Sequence, residues 1–340
     1  MKKFTSVNDV EDLNKLVFEA LLEKKYPFAS KELGKNKTLG LIFLNPSLRT
    51  RLSTQRAAQN LGMNVIVMNL DKEGWNIETK DGVVMDGSAA EHIKEAAAVI
   101  GKYCDIIGVR SFPKLQNREE DYSDEVLNQF IKHAGVPVVS LESATLHPFQ
   151  SLADLITITE LRPHPLLPSP MGEGKRERLK IVLTWAPHPK TLPQAVPNSF
   201  SQWMLAASKD FGIDFVITHP EGYELNPLFT SHPLGSGQGS AKIIYNQDEA
   251  LQGADFVYAK NWSSYKEYGK ILSQDKNWMI TNKKMSLTNN AKFMHCLPVR
   301  RNVVVADEVL DSSSSVVLQQ AENRIYSAQV ILKKILQTLA

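Results

Sequence analysis

Thr38-Leu39-Gly40-Leu41-Ile42-Phe43-Leu44 runs without a charged residue straight into Asn45-Pro46-Ser47-Leu48-Arg49-Thr50-Arg51, and a stretch of good helix formers, RLSTQRAAQNLG (51–62), follows. A short, continuous apolar run of this kind reads as a strand buried on both faces of a parallel sheet. The polar heptapeptide then stands at a strand's carboxyl end and opens a helix. Such a position aims free backbone N–H groups and the positive end of the helix dipole at a guest, and Ser47, Thr50 and Arg49 add hydroxyls and a cationic fork. The guest the chemistry favours is an anion, most simply phosphate. Taken alone, the same residues are equally a serine N-cap followed by surface arginines.

The rhythm set by this stretch continues outward. Strands are predicted at NVIVMNL (64–70), CDIIGVR (104–110) and PVVSLE (137–142), separated by helical AAEHIKEAAAVIGKY and SDEVLNQFIKHAG. A helix from Phe149 to Leu161 leads out of this first unit. A second unit has predicted strands at LKIVLTW (179–185), IDFVITH (213–219), ADFVYAK (254–260) and KFMHCLP (292–298), with FSQWMLAASKDFG as one of its helices, and a last helix runs from about Gln319 to Leu339. The expected fold is α/β, with two domains that each have a central parallel sheet flanked by helices. Between them RPHPLLPSPMGEGKRER offers no periodic apolar face and reads as an exposed insertion. Ligands of such sheets collect at the carboxyl ends of the strands, which makes the residues just after each apolar run the ones to examine.

Composition narrows the classes. The 340 residues, 43% hydrophobic and with a formal charge of +2, suit two globular domains, and the basic residues are too dispersed to argue for nucleic acid. No run of about 18 apolar residues marks a membrane span, and MKKFTSVNDVEDLNKL lacks the apolar stretch of a signal peptide, so a cytoplasmic location is expected. Cys104 and Cys296, the only cysteines, stand far apart without metal-ligand spacing, which signals neither a disulfide framework nor zinc.

Four ordered motifs carry a resemblance that covers almost the whole chain. Ser47-Leu48-Arg49-Thr50-Arg51 resembles the S-x-R-T-R segment of the aspartate and ornithine transcarbamylase family, and His147-Pro148-Phe149-Gln150-Ser151-Leu152-Ala153-Asp154-Leu155 its H-P-x-Q-x-L-A-D-L segment. His295-Cys296-Leu297-Pro298 is similar to the H-C-L-P signature of the ornithine side of the family, and Gln320-Ala321-Glu322-Asn323-Arg324 to the segment that opens its last helix. The resemblance implies that Ser47, Leu48, Arg49 and Thr50 hold the phosphate of carbamoyl phosphate. It implies that Arg110 bridges phosphate and carbonyl oxygen, that His147 and Arg324 polarise that oxygen, and that Gln150 and the Leu297 carbonyl fix the carbamoyl NH2. Arg110, His147, Cys296 and Arg324 form the implied catalytic set; no metal or organic cofactor is required. Without that joint pattern, His147 reads as a turn or core histidine, Arg110 as a solvated strand-end residue and Cys296 as a small buried hydrophobe. Asp154 reads as a structural hydrogen-bonding group.

The D-x-x-x-S-M-G segment that ordinary ornithine transcarbamylases use for a free α-amino group is absent. Trp185-Ala186-Pro187-His188-Pro189 followed by KTLPQAVPNSF resembles instead the proline-rich loop of the N-acylornithine branch, which implies a knotted second domain. Trp75 matches a tryptophan that this branch lends to a neighbouring subunit's carbamoyl-phosphate site, implying a homotrimer. Glu142 matches the carboxylate that receives the δ-amine, and Lys260 and Arg300 the pair that contacts the substrate's carboxylates, with Arg301 the lesser candidate. At the position of Ala90 the acetylornithine enzymes carry a glutamate, and at that of Val304 a lysine found carboxylated. A glutamate at position 90 would repel and crowd a succinyl carboxylate, so Ala90 favours N-succinylornithine, although proline is the residue known succinylornithine enzymes have there and Glu91 is adjacent.

The resemblance thus implies carbamoyl transfer to the δ-amine of N-succinyl-L-ornithine, in arginine biosynthesis, with N-acetylornithine as the alternative substrate. It divides the chain into a carbamoyl-phosphate-binding domain at 1–148 completed by the C-terminal helix 319–340, a helix at 149–161 between the domains, the insertion at 162–178 and an N-acylornithine-binding domain at 179–318. Two other classes compete. A nicotinamide dehydrogenase would need a glycine fingerprint in a strand-turn-helix setting, and Gly235-Ser236-Gly237-Gln238-Gly239 follows HPL in a loop. A sensor that kept the fold without chemistry would bind carbamoyl phosphate and not turn it over.

Overall fold

The computed structural model describes residues 1–162, 178–231 and 240–339. The predicted insertion at 162–178, apart from its two end residues, and the glycine cluster at 235–239 lie outside the described residues. The chain divides into two units, Met1–Leu152 with Glu322–Ala340, and Ala153–Ala321.

Unit one is built on strands β1 (Lys3–Phe4), β2 (Thr38–Phe43), β3 (Asn64–Asn69), β6 (Ile106–Arg110) and β7 (Val138–Glu142), all parallel in the order β1-β7-β6-β2-β3. A two-stranded parallel ladder, β4 (Ile77–Glu78) with β5 (Glu91–His92), stands apart. Helices α1 (Leu13–Lys25), α2 (Arg49–Asn60), α3 (Ile93–Tyr103) and α4 (Glu125–His133) belong to this unit, and α5 (Pro148–Leu161) begins in it. Central strands β2, β6 and β7 are buried almost throughout, which is why their sequences show no polar alternation. Ile42, Ile107, Val109 and Val138 of the sheet pack with Ile93 and Ala97 of α3 and Leu127 and Phe130 of α4. Each of these valine, leucine, isoleucine and phenylalanine side chains, fully withdrawn from water, contributes about 1.5–3 kcal/mol. Cys104 is a packing residue: a Cβ at Gly40 in β2 would lie 2.6 Å from its sulfur, so this strand position needs glycine.

Unit two repeats the plan with β8 (Leu179–Trp185), β9 (Ile213–Thr218), β10 (Lys242–Ile243), β11 (Phe256–Lys260) and β12 (Lys292–Met294), parallel in the order β10-β9-β8-β11-β12. Helices α6 (Ala195–Ala207) and α7 (Val317–Leu339) follow in chain order, the latter entering unit one at Glu322. Val182, Val216, Val257 and Phe293 lie in this unit's core. The α/β expectation of two parallel sheets holds.

Two local expectations need correction. The strand predicted at 292–298 ends at Met294, because the His295 N–H donates to Gln320 Oε1 at 3.0 Å and the Leu297 N–H to His295 Nδ1 at 2.9 Å, which takes the backbone out of the ladder. Leu297 follows with φ 53°. The proline-rich loop predicted through Phe200 stops at Gln194, and AVPNSF forms the first turns of α6. Pro197 falls in the first turn, where its missing N–H removes no intrahelical bond.

Candidate active site

Helix α2 starts where the sequence placed it, at the carboxyl end of β2, and its N-cap is Leu48 rather than Ser47. No side chain caps it. The alternative of a serine N-cap is therefore not what the chain adopts, and the first-turn N–H groups of α2 keep their capacity to bind an anion.

Two arginines converge on unit one's strand ends, and both are buried. Arg324, on α7, donates from Nη1 to Gln150 Oε1 at 2.7 Å and from Nη2 to Thr50 Oγ1 at 2.6 Å. It thereby ties the third helix of the site to the first turns of α5 and α2. The helix that carries it is fixed by Ser327 Oγ donating to the Phe149 carbonyl at 2.9 Å, and by a polar chain in which Asn60 donates to Gln329 and Gln329 to Glu23, at 2.8 and 2.6 Å. Arg110 ends β6 at a register shift that sets it opposite Glu142 of β7. Its Nη1 donates to the carbonyls of Asn45 and Pro46 at 2.9 and 2.8 Å, its Nη2 lies 3.1 Å from Glu142 Oε2, and its guanidinium carbon stands 4.0 Å from the centre of the Phe112 ring. His147 Nε2 is 3.6 Å from the same Glu142 oxygen.

Arg110, Glu142, His147 and Arg324 are 5, 7, 3 and 4% exposed. Two cations, one carboxylate and an imidazole held this far from water interact more strongly than they would at the surface. Chemically the group can neutralise a phosphate, polarise a carbonyl oxygen beside it and accept an ammonium on the carboxylate. Ser47, Leu48, Arg49, Thr50, Arg110, Glu142, His147, Gln150 and Arg324 all lie in unit one.

Trp75 and Ala90 are also in unit one but on an exposed segment. Trp75 is 61% exposed, and its indole N–H donates to Glu91 Oε2 at 2.9 Å rather than to any of the buried residues above. Ala90 donates its N–H to the Asn76 carbonyl at 3.0 Å. Glu91 is thus engaged with Trp75, which separates its role from that of its neighbour Ala90. Between the two short strands, Val83, Val84 and Met85 form an exposed apolar tip.

Unit two holds Lys260, Cys296, Leu297, Arg300 and Val304. Arg300 Nε donates to His188 Nε2 at 3.1 Å, and His188 Nδ1 accepts from the Lys190 N–H at 3.0 Å and lies 2.9 Å from the Lys190 carbonyl. Burial pushes His188 below its ordinary value, and the positive charges of Arg300, Lys260 and Lys190 push the same way. Three cations gathered around one imidazole can attract a carboxylate. Arg301 instead bonds Asp307 and Asp311 at 2.7–2.8 Å on the surface, away from His188. Cys296 is buried. Asp154 accepts from Gln320 Nε2 at 2.6 Å, and Gln320 Oε1 accepts from His295, so Asp154 supports the His295–Pro298 turn as a structural group. Val304 is 2% exposed and packs in the unit's core, so it lines no surface, and its bearing on substrate choice is that no lysine is there.

The motifs give His188 no role, and none marks the contact of Glu91 with Trp75. The signal for His188 was its place just beyond β8, where strand-end residues carry function. Among the described residues no group of three His, Cys, Asp or Glu is arranged to hold a metal ion, and no helix is long and apolar enough to cross a membrane.

A phosphate-type anion site beside a buried carboxylate and histidine, on the first of two parallel α/β units, is the build of an enzyme for a phosphorylated small molecule. Residues 2–160 match the carbamoyl-P binding domain of aspartate/ornithine carbamoyltransferases, and residues 195–335 the Asp/Orn binding domain. The chain belongs to the aspartate/ornithine carbamoyltransferase family. It is 54% identical to the N-succinylornithine carbamoyltransferase of Bacteroides fragilis, over 100% of both chains. It is 37% identical to the N-acetylornithine carbamoyltransferase of Xanthomonas campestris pv. campestris, over 95% of both. Among solved structures, N-acetyl-L-ornithine transcarbamylase superposes with a TM-score of 0.87 at 35% identity, covering 98% of this chain and 100% of that one. A glutamate-to-alanine variant of that enzyme, complexed with carbamyl phosphate and N-succinyl-L-norvaline, matches with a TM-score of 0.87 at 36% identity and the same coverage.

Proposed function

We propose that this protein transfers the carbamoyl group of carbamoyl phosphate to the δ-amine of N-succinyl-L-ornithine, giving N-succinyl-L-citrulline and phosphate. The observation that carries the reading is the buried constellation of Arg110, Glu142, His147 and Arg324 beside the uncapped start of α2. The backbone and side chains of Ser47, Leu48, Arg49 and Thr50 receive the phosphate, with Trp75 from a neighbouring copy completing the site. Arg110, His147 and Arg324 act on the carbonyl oxygen as negative charge grows there. Gln150 and the Leu297 carbonyl hold the NH2, with Cys296 beside it in the chain.

Glu142 orients the δ-ammonium until it loses a proton. The neutral nitrogen then attacks the carbonyl carbon. A new N–C bond forms, the C–O bond to phosphate breaks with its electron pair going to the phosphate, and the amine's second departing proton leaves with it. Arg110 Nη2 and Glu142 Oε2, 3.1 Å apart, each exchange that partner for a substrate group on binding.

The choice of succinyl over acetyl rests on three features. The Arg300, His188 and Lys260 group offers cations for more than one carboxylate. Ala90 stands where, by resemblance, the acetylornithine enzymes carry a glutamate, and a relative with a glutamate exchanged for alanine has been captured with a succinyl compound. The full-length likeness to N-succinylornithine carbamoyltransferases agrees. We read the assembly as a homotrimer sharing Trp75, since the exposed indole and the apolar tip at Val83, Val84 and Met85 suit a contact surface. A cytoplasmic place in arginine biosynthesis follows from this reading.

The test is kcat/KM for ornithine, N-acetylornithine and N-succinylornithine at saturating carbamoyl phosphate. A preference for N-succinylornithine is expected; a preference for N-acetylornithine overturns the acyl assignment, and carbamoyl-phosphate binding without turnover of any amine overturns catalysis.

A further inference from the structure

Asp124 occupies the N-cap position of α4 and does not cap it. Its φ and ψ are 47° and 38°, in the left-handed region, and its side chain makes no hydrogen bond to the helix's first turn. An N-cap aspartate ordinarily has extended backbone and accepts from the second or third helical N–H. Departure from that pattern forgoes the cap and strains a non-glycine residue by about 1 kcal/mol or more.

Both carboxylate oxygens turn instead to the loop that follows β7. Oδ1 accepts from the Ala144 N–H at 2.9 Å, and Oδ2 accepts from Ser143 Oγ at 2.9 Å and from the Thr145 hydroxyl. Ser143 Oγ in turn accepts from the N–H groups of Thr145 and Leu146 at 3.3 and 3.2 Å, and the Ser143 N–H donates to the Leu146 carbonyl at 2.9 Å. The loop is closed on itself around one carboxylate. Its two ends are Glu142 and His147, whose Oε2 and Nε2 stand 3.6 Å apart.

Three donors on two oxygens suit an acceptor-only group; an asparagine would turn an NH2 against one set of them. Burial pushes the Asp124 carboxyl above its ordinary value, and the bonds from Thr145, Ser143 and Ala144 pull the other way. A half-buried carboxylate in a strained backbone, with its natural cap left unmade, is poorly explained by the stability of α4. The strain is explained by the loop it holds.

From this geometry we propose that Asp124 is a positioning residue for carbamoyl transfer, fixing the 143–146 loop so that Glu142 and His147 meet at the distance the reaction needs. The inference rests on the function proposed above. Asp124 touches neither substrate; it acts through the two residues the loop joins.

Asp124→Asn is compared with the wild type by steady-state kinetics, thermal unfolding and crystallography. The expected result is a fall in kcat of about 10- to 100-fold, the scale of a misplacement near 1 Å, with KM for carbamoyl phosphate unchanged because the residues at the start of α2 still hold the phosphate. The crystal structure is expected to show His147 Nε2 withdrawn from Glu142 beyond ion-pair reach. Thr145→Val, which removes a single donor and keeps the side chain's shape, is expected to do the same to a lesser degree, and it carries the test if Asp124→Asn fails to fold. Loss of thermal stability with kcat unchanged, or a 142–147 segment that superposes on the wild type, overturns the proposal. If the wild type carbamoylates no amine, the functional reading fails by itself, and the crystallographic comparison still decides whether Asp124 sets the Glu142–His147 geometry.

Discussion

Arg324→Ala separates the catalytic from the structural part of the buried constellation. The wild-type guanidinium makes charge-assisted bonds of 2.7 and 2.6 Å to Gln150 and Thr50 while 4% exposed. Such bonds contribute about 1.5–3 kcal/mol each, but truncation also relieves the desolvation of a buried cation, and the two partners left behind are neutral and small enough to bind water. The net loss of stability is therefore modest, about 1–3 kcal/mol. The catalytic loss is larger. A preorganised donor aimed at a developing oxyanion is worth about 10²–10³ in kcat, and at 1.36 kcal/mol per tenfold this corresponds to about 2.7–4 kcal/mol. Citrulline-product formation, normalised to folded protein by circular dichroism, should fall by that factor at saturating substrates. Arg324→Lys keeps the charge without the planar fork and should recover part of the loss. A kcat for Arg324→Ala within about threefold of wild type, less than 1 kcal/mol of transition-state stabilisation, would refute the assignment of Arg324 to the carbonyl oxygen.

Ala90→Glu should lower the ratio of kcat/KM for N-succinylornithine over N-acetylornithine by tenfold or more, since one like-charge contact near the surface is worth about 1.4 kcal/mol or above; an unchanged ratio removes Ala90 from the specificity argument. His188→Leu takes away the acceptor for Arg300 Nε and should raise KM for N-succinylornithine about tenfold with KM for carbamoyl phosphate unmoved, as competition kinetics against each substrate will show. His188 and His219 are both pushed below the ordinary 6.5, each chiefly by burial, and His219 Nε2 has no partner among the described residues. The unfolded chain binds protons there that the native state does not, so the stability they contribute is full above pH 6.5 and is lost as pH falls through their lowered native values. Urea unfolding of His219→Gln across that window should show a shallower pH slope than wild type.

The parts of the fold legible in sequence were those written in contiguous residues. TLGLIFL, LKIVLTW and the other apolar runs specify buried parallel strands because both faces of each must exclude water, and the polar heptapeptide at Asn45 announces the start of α2 at a strand's end. What escaped was decided between distant residues. The two-residue strands β1 and β10 exist only by pairing with β7 and β9, and no local pattern of that length could mark them. The end of β12 is set by Gln320, 25 positions away, and the helical fate of AVPNSF by a fold that tolerates Pro197 in a first turn. The same holds at the site. His147 and Arg324 were legible through motifs and Arg110 through its place at a strand's end, whereas the bond from Arg300 to His188 spans 112 positions and the capture of the 143–146 loop by Asp124 about 20.

The central claim is that this chain moves a carbamoyl group from phosphate to an acylated ornithine's δ-amine. The most direct measurement supplies carbonyl-13C carbamoyl phosphate and N-succinylornithine and follows the labelled carbon by NMR together with released phosphate. The account predicts label in the ureido carbon of N-succinylcitrulline at one equivalent per phosphate, above the uncatalysed background. Phosphate release with the label remaining in cyanate, carbamate or bicarbonate, or no release above background, would contradict it.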